Sequence, residues 1–214
     1  MQRVAVIDYG MGNLRSVSKA LESVAGNNTS IEVTADPAKI LAASHVVFPG
    51  VGAIRDCIGE LQRLQLDNVI REVAQTKPLL GVCLGMQALL SHSEENSGVD
   101  SLDIIPGDVR HFDIEHSADT ERLKVPHMGW NKVNQTISHP LWKDIEQDSR
   151  FYFVHSYFVS PSDEKVTAAT TDYPNDFTSA IYKDNLFAVQ FHPEKSQHVG
   201  LQLLKNFLTW DGQS

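Results

Sequence analysis

The chain has 214 residues, enough for one sizeable folding unit around a single core, and its 42% hydrophobic and 21% charged residues are the balance of an ordinary globular protein. A formal charge of −9 argues against non-specific nucleic-acid binding, whose affinity comes mostly from lysine and arginine on phosphates. No apolar run approaches membrane-spanning length, the N-terminal apolar stretch is too short for a signal peptide, and the two cysteines, Cys57 and Cys83, show no metal-ligand spacing, so a reducing cytoplasm is the expected setting.

Strand-like runs alternate with helical patterns through the first half, which predicts parallel strands joined by crossover helices. Residues 4–7 read as a strand, and Leu14, Val17, Leu21 and Val24 recur at helical spacing. A second strand follows at 31–34. Asp36 and Pro37 then supply an N-cap and a first-turn proline for a short helix. Residues 45–48 read as a third strand, Ile54, Ile58, Leu61 and Leu64 form a helical stripe, and 69–73 continue one toward an apolar strand at 77–82. Residues 84–90 have helical composition, while 94–103 and 114–122 read as surface loops. The second half offers strands at 150–157, 166–171, 179–183 and 186–191, expected as antiparallel additions. At 199–210, Leu203, Leu204, Phe207 and Leu208 predict a closing helix that packs on the sheet. No repeat, low-complexity tract or linker divides the chain, so residues 1–214 are expected to form a single domain.

The strand at 77–82 runs into Gly81-Val82-Cys83-Leu84-Gly85. Strand, tight turn and helix are the layout of the nucleophile elbow, here with sulfur in place of a hydroxyl, and the flanking glycines leave space for the turn. A thiol at a helix N-terminus also sits near the positive end of the dipole, which favours the attacking thiolate. Taken alone the pattern is short, and a buried inert cysteine is the ordinary alternative. Cys57, inside a helical stripe, reads as packing.

The base for Cys83 is expected far downstream, where an apolar strand ends in Gln190-Phe191-His192-Pro193-Glu194. His192 is placed to take the thiol proton, and Glu194 to fix the imidazole's tautomer and stabilise its charged form, which is triad logic in the order Cys, His, Glu. A tetrahedral oxyanion also needs donors, each worth roughly 3–4 kcal/mol of barrier. The elbow offers the Leu84 N–H. A second donor is expected from the glycine-rich Pro49-Gly50-Val51-Gly52-Ala53, which follows the third strand. A dinucleotide reading of Gly10-Met11-Gly12 fails because its third glycine position holds Arg15. A phosphate loop is absent, and no Pro-Cys-x-x-Cys accompanies His192 and Glu194 for a zinc deaminase.

Gly81-Val82-Cys83-Leu84-Gly85-Met86-Gln87 together with Gln190-Phe191-His192-Pro193-Glu194-Lys195-Ser196 closely resembles the triad-type (class I) glutamine amidotransferases. Four further segments, at 8–14, 49–53, 125–131 and 152–157, resemble the glutaminase subunits of imidazole glycerol phosphate synthases within that superfamily, and the likeness covers essentially the whole chain. The resemblance implies a three-layer α/β fold with a mixed central sheet and helices on both faces. It implies glutamine hydrolysis with Cys83, His192 and Glu194 as catalytic residues, and Gly50, Val51 and Leu84 as the oxyanion hole. Gly52, Gln87, Ser156 and Tyr157 would bind glutamine, although Tyr157 among neighbouring aromatics also reads as a core residue.

The same resemblance implies a (β/α)8-barrel cyclase partner that receives the ammonia and makes imidazole glycerol phosphate and an aminoimidazole carboxamide ribotide. Asn13, Met128, Trp130 and Lys195 match positions near the partner interface, and Tyr152 one near the ammonia passage. No metal and no cofactor is implied. Another amidotransferase, or a cysteine hydrolase releasing its product to solvent, would share the triad. A silent regulatory subunit would be expected to lose a catalytic residue, whereas all three are present.

Overall fold

The computed structural model describes residues 1–113 and 124–213. Its first half alternates as the periodicity predicts: β1 (Gln2–Ile7), α1 (Leu14–Val24), β2 (Thr29–Thr34), α2 (Pro37–Ala42), β3 (His45–Gly50), α3 (Ile54–Arg63), α4 (Leu66–Thr76) and β4 (Leu79–Cys83). The Asp36 side chain accepts the Ala38 N–H at 2.9 Å and starts α2 as its cap. The helical stripe at 54–73 is two helices, because Gln65 adopts a left-handed φ of 57° and turns the chain between α3 and α4.

After β4 the chain departs from expectation. The predicted helix at 84–90 is only one turn, α5 (Leu84–Gln87), and β5 (Leu90–Ser93) takes over. Leu89 and Leu90 are fully buried, and β5 pairs in parallel with β7 (Ile105–His111), so burial and pairing in the sheet override helical composition. The predicted loop at 94–103 holds a 3-10 turn at Glu95–Ser97 and a short strand, β6 (Val99–Asp100), antiparallel to β5. The other predicted loop, at 114–122, lies outside the described residues.

Strands β7, β8 (His127–Lys132) and β9 (Asn134–Gln135) lack the apolar pattern that announces a strand. The predicted strand at 150–157 divides before Tyr157. Its first part, β10 (Arg150–His155), pairs with β8 in a two-stranded sheet, and β11 (Tyr157–Pro161) joins the main sheet. β12 (Thr167–Asp172), β13 (Asp176–Lys183), β14 (Leu186–Val189) and α6 (Gln197–Thr209) complete the chain.

Among the described residues the main sheet has twelve strands, ordered β2-β1-β3-β4-β14-β13-β11-β7-β5-β6, with β12 and β9 branching from β13. The run from β2 to β14 is parallel, and antiparallel pairing begins at β13. Side chains alternate across the sheet as a period of two requires. Val4, Val6 and Val47 face the layer of α1 and α6, while Ala5, Ile7, Val46 and Phe48 face that of α2, α3 and α4. The result is the three-layer mixed sheet. Cys57 lies in the second layer's core, where burial pushes its thiol up to about 12. Among the described residues no helix is long and apolar enough to cross a membrane.

The parallel register positions the site. Gly50 lies opposite Cys83, and Val82 opposite Val189, so the ends of β3, β4 and β14 open at one edge. Ligand crevices of α/β sheets form beyond such carboxyl ends.

Candidate active site

Cys83 ends β4 with φ 54° and ψ −110°, a conformation that side-chain-bearing residues rarely adopt. The neighbouring glycines permit it. A Cβ at Gly85 would lie 1.9 Å from the Phe48 carbonyl oxygen, and one at Gly81 would lie 2.8 Å from the Ala188 Cβ. The elbow therefore presses directly onto β3 and β14. Because α5 is a single turn, a long helix dipole is not what acts on the sulfur, and its side-chain neighbours matter more.

One such neighbour is the Gln190 amide, whose Nε2 donates to Cys83 Sγ at 3.7 Å. Gln190 Oε1 in turn accepts from Gln87 Nε2 at 3.1 Å, and the same Nε2 donates to the Tyr157 carbonyl at 2.9 Å. With its two donor hydrogens committed, Gln87 can meet a ligand only as an acceptor, narrower than the donor-and-acceptor role expected from sequence.

His192 follows β14 and is held on both sides. Its N–H donates to the Tyr152 carbonyl at 2.9 Å, while Ser196 Oγ accepts the Tyr152 N–H at 2.9 Å and donates to the His192 carbonyl at 2.6 Å. His192 Nδ1 meets Glu194 Oε1 at 2.9 Å, and both side chains are only 2% exposed. With the carboxylate on Nδ1, Nε2 is the nitrogen left over, and it is buried with no hydrogen-bond partner among the described residues. Burial opposes charging the ring, but the nearby Cys83 sulfur and then Glu194 outweigh it and raise His192 to about 9. Sulfur, imidazole and carboxylate thus form one electrostatic unit.

A cavity of about 340 Å³ opens over this unit, and its wall includes Val51, Gly52, Cys83, Leu84, Gln87, Ser156, Tyr157 and His192. Eight residues singled out from distant parts of the sequence therefore share one surface. Gly50 lies just behind, where a Cβ would sit 2.5 Å from the Tyr9 hydroxyl and 2.8 Å from the Leu84 Cβ. Glu194 also stands behind the wall, reaching the cavity only through His192. Leu84 opens α5, where first-turn N–H groups have no partner within the helix.

Sequence reasoning missed Glu95, Pro126, Val154 and His155, which line the same cavity. Glu95 Oε2 accepts the Ile54 N–H at 3.0 Å, fixing a carboxylate beside the Gly52 loop. No motif marks it, since it stands in a polar stretch that reads as a loop. Gln190 carried a usable signal: an amide among apolar strand residues has to find a buried partner.

The remaining singled-out residues gather on the surface. Met128 is 62% exposed and Trp130 37%, on the outward face of β8. The Trp130 and Tyr152 rings meet edge-on at 6.1 Å, and Lys195 Nζ stands 5.9 Å from the Tyr152 ring centroid. Asn13 precedes α1, and α1 packs against the Pro193–Lys195 turn.

A strained thiol turn, a carboxylate-held imidazole and a cavity with an anchored acidic group suit attack on an amide bearing an amino-acid head group. The chain belongs to the class-I glutamine amidotransferases: the family model matches residues 5–210. It is 61% identical over 214 residues to the imidazole glycerol phosphate synthase subunit HisH of Nitrosococcus oceani, covering 100% of both chains. The protein of the same name from Pseudomonas putida is 56% identical over 213 residues, again with 100% of each covered. Among solved structures, PurLQS from Thermotoga maritima shares the fold with a TM-score of 0.71 at 16% identity, over 97% of this chain and 98% of that one.

Proposed function

We propose that this chain is the glutaminase subunit of an imidazole glycerol phosphate synthase, working in the cytoplasm beside a (β/α)8-barrel cyclase. The observation that carries the reading is the shared cavity wall, in which the Cys83 elbow faces an imidazole whose other nitrogen is held by Glu194. The relatives' names supply the synthase.

In the proposed mechanism glutamine binds with its head group near Glu95 and the Gln87 oxygen, between Gly52 and the Ser156-Tyr157 wall. The Cys83 sulfur, its proton already transferred to His192 Nε2, attacks the side-chain amide carbon. The oxyanion forms against the Leu84 N–H and the Val51 N–H of the Gly50-Val51 peptide. Collapse breaks the C–N bond, and His192 gives its proton to the departing ammonia. Water then attacks the thioester, His192 accepts its proton and returns it to sulfur, and glutamate leaves. Glu194 holds the tautomer throughout.

Ammonia released to water would be protonated and lose its nucleophilicity, so delivery to a synthase partner is the reason for the subunit. The exposed Met128 and Trp130 with Tyr152 and Lys195 suit such a docking face, with Asn13 at its margin. The test uses the complex with Cys83→Ala. Synthesis from glutamine should vanish while synthesis from added ammonium salts persists, and loss of both would contradict the division of labour.

A further inference from the structure

Strand β8 sends Met128 and Trp130 outward and His127 inward, and His127 lies opposite His155 of β10. Both histidines are buried, at 3% and 5% exposure. His127 Nδ1 meets His155 Nε2 at 3.0 Å, and His155 Nδ1 meets the Tyr157 carbonyl at 2.8 Å. A carbonyl only accepts, so His155 carries its proton on Nδ1. In a neutral ring Nε2 is then an acceptor, and His127 must donate to it from Nδ1. His127 Nε2 is left to accept from Asn131 Nδ2 at 3.3 Å, and the second Asn131 hydrogen goes to the Asp172 carbonyl at 2.9 Å. Both tautomers are thus fixed in one direction.

Neutrality is favoured by burial, which lowers His127 to about 4 and His155 to about 3. Packing locks the rings as well: His127 stacks on Tyr173 with centroids 3.9 Å apart and on Phe153 at 4.8 Å. The chain ends on a functional atom, because the Tyr157 carbonyl that receives His155 also receives Gln87. His155, Tyr157 and Gln87 all line the cavity.

We propose that His127 and His155 are positioning residues for glutamine: their directed hydrogen-bond chain holds the Ser156-Tyr157 wall in its binding geometry and ties it to the strand that carries Met128 and Trp130. The inference rests on the cavity being the glutamine pocket. A pair that merely fills space would tolerate an apolar replacement of similar size. A positioning pair needs the donor that points from His127 to His155.

The test compares His127→Asn, whose side-chain amide can donate from near the Nδ1 position, with His127→Leu, which cannot, each in the complex with the cyclase. For His127→Leu the glutamine KM should rise about tenfold, as expected for one buried hydrogen bond, with kcat little changed. His127→Asn should recover most of that loss. Equal KM values for both variants and the wild type, or equal losses in both, would overturn the proposal.

Should His127→Leu fail to fold, nitrogen NMR of the Cys83→Ala complex decides. Both histidines should show the Nδ1–H tautomer, and the His155 signal should move on saturation with glutamine. An Nε2–H tautomer or an unmoved signal would overturn the proposal. A wild-type complex without saturable glutaminase activity would instead refute the functional reading.

Discussion

Gly85→Ala separates close packing of the elbow from simple backbone freedom. A methyl at Gly85 would lie 1.9 Å from the Phe48 carbonyl oxygen and 2.9 Å from its carbon, whereas real Cβ contacts essentially never fall under 3.0 Å. The obstacle is backbone of a central strand, so relief requires the elbow to retreat from β3 by about 1.1 Å, the gap between 1.9 and 3.0 Å. Overpacking of this kind costs about 1–3 kcal/mol or more, and a displacement near 1 Å at reacting groups costs on the order of 100-fold in rate.

Gly59→Ala is the matched control. Gly59 lies exposed in α3, where an added Cβ meets nothing within 4 Å, so the same substitution should stabilise by about 0.5–1 kcal/mol. Urea unfolding and glutaminase assays of both variants in the complex provide the readout. Opposite signs in stability, with rate lost only in Gly85→Ala, are expected. Wild-type stability and turnover in Gly85→Ala would refute the close approach.

Gln190→Leu removes the amide that donates to Cys83 and accepts from Gln87, leaving a Gln87 hydrogen unpaired. Glutaminase kcat should fall by about tenfold or more while stability drops by about 1–3 kcal/mol, and unchanged alkylation kinetics at Cys83 would count against the contact. His192 is raised from 6.5 to about 9, so its protonated form contributes stability that is complete below pH 6.5 and lost as pH rises through 9, a loss that urea unfolding across that range should show. Because Cys83 is the stronger of the two raising neighbours, Cys83→Ala should lower His192 in an NMR titration and flatten that loss; an unaltered titration would show the pair to be uncoupled. Ser196→Ala deletes the hydroxyl that joins Tyr152 and His192, and denaturant unfolding should show about 1–3 kcal/mol of destabilisation, whereas no change would mean water replaces it.

The parallel half of the sheet was legible because its strands are short apolar runs bounded by helices with clear stripes. β7 and β8 were not. The first carries Pro106, Gly107 and Asp108, and the second alternates His127 and Gly129 with a solvent face of Met128 and Trp130, so neither shows a plain apolar pattern. Leu89 and Leu90 misled in the other direction, since helical composition yields where a turn and the strand after it bury both side chains. In the candidate site, Cys83, His192 and Glu194 stand out because their chemistry is written in adjacent residues. Glu95 and His155 acquire meaning only from tertiary neighbours, the Ile54 N–H and the His127 ring, whereas the Gln190 amide announces a buried partner in the sequence and the fold supplies it as the Cys83 sulfur.

The central claim is that Cys83 attacks glutamine with His192 as its base. The most direct measurement is peptide mass spectrometry of the complex after exposure to an electrophilic glutamine analogue, with and without His192→Ala. An adduct on Cys83 and none on Cys57, formed far more slowly in His192→Ala and blocked by excess glutamine, is the expected result. No adduct on Cys83, or one formed equally fast without the imidazole, would contradict it.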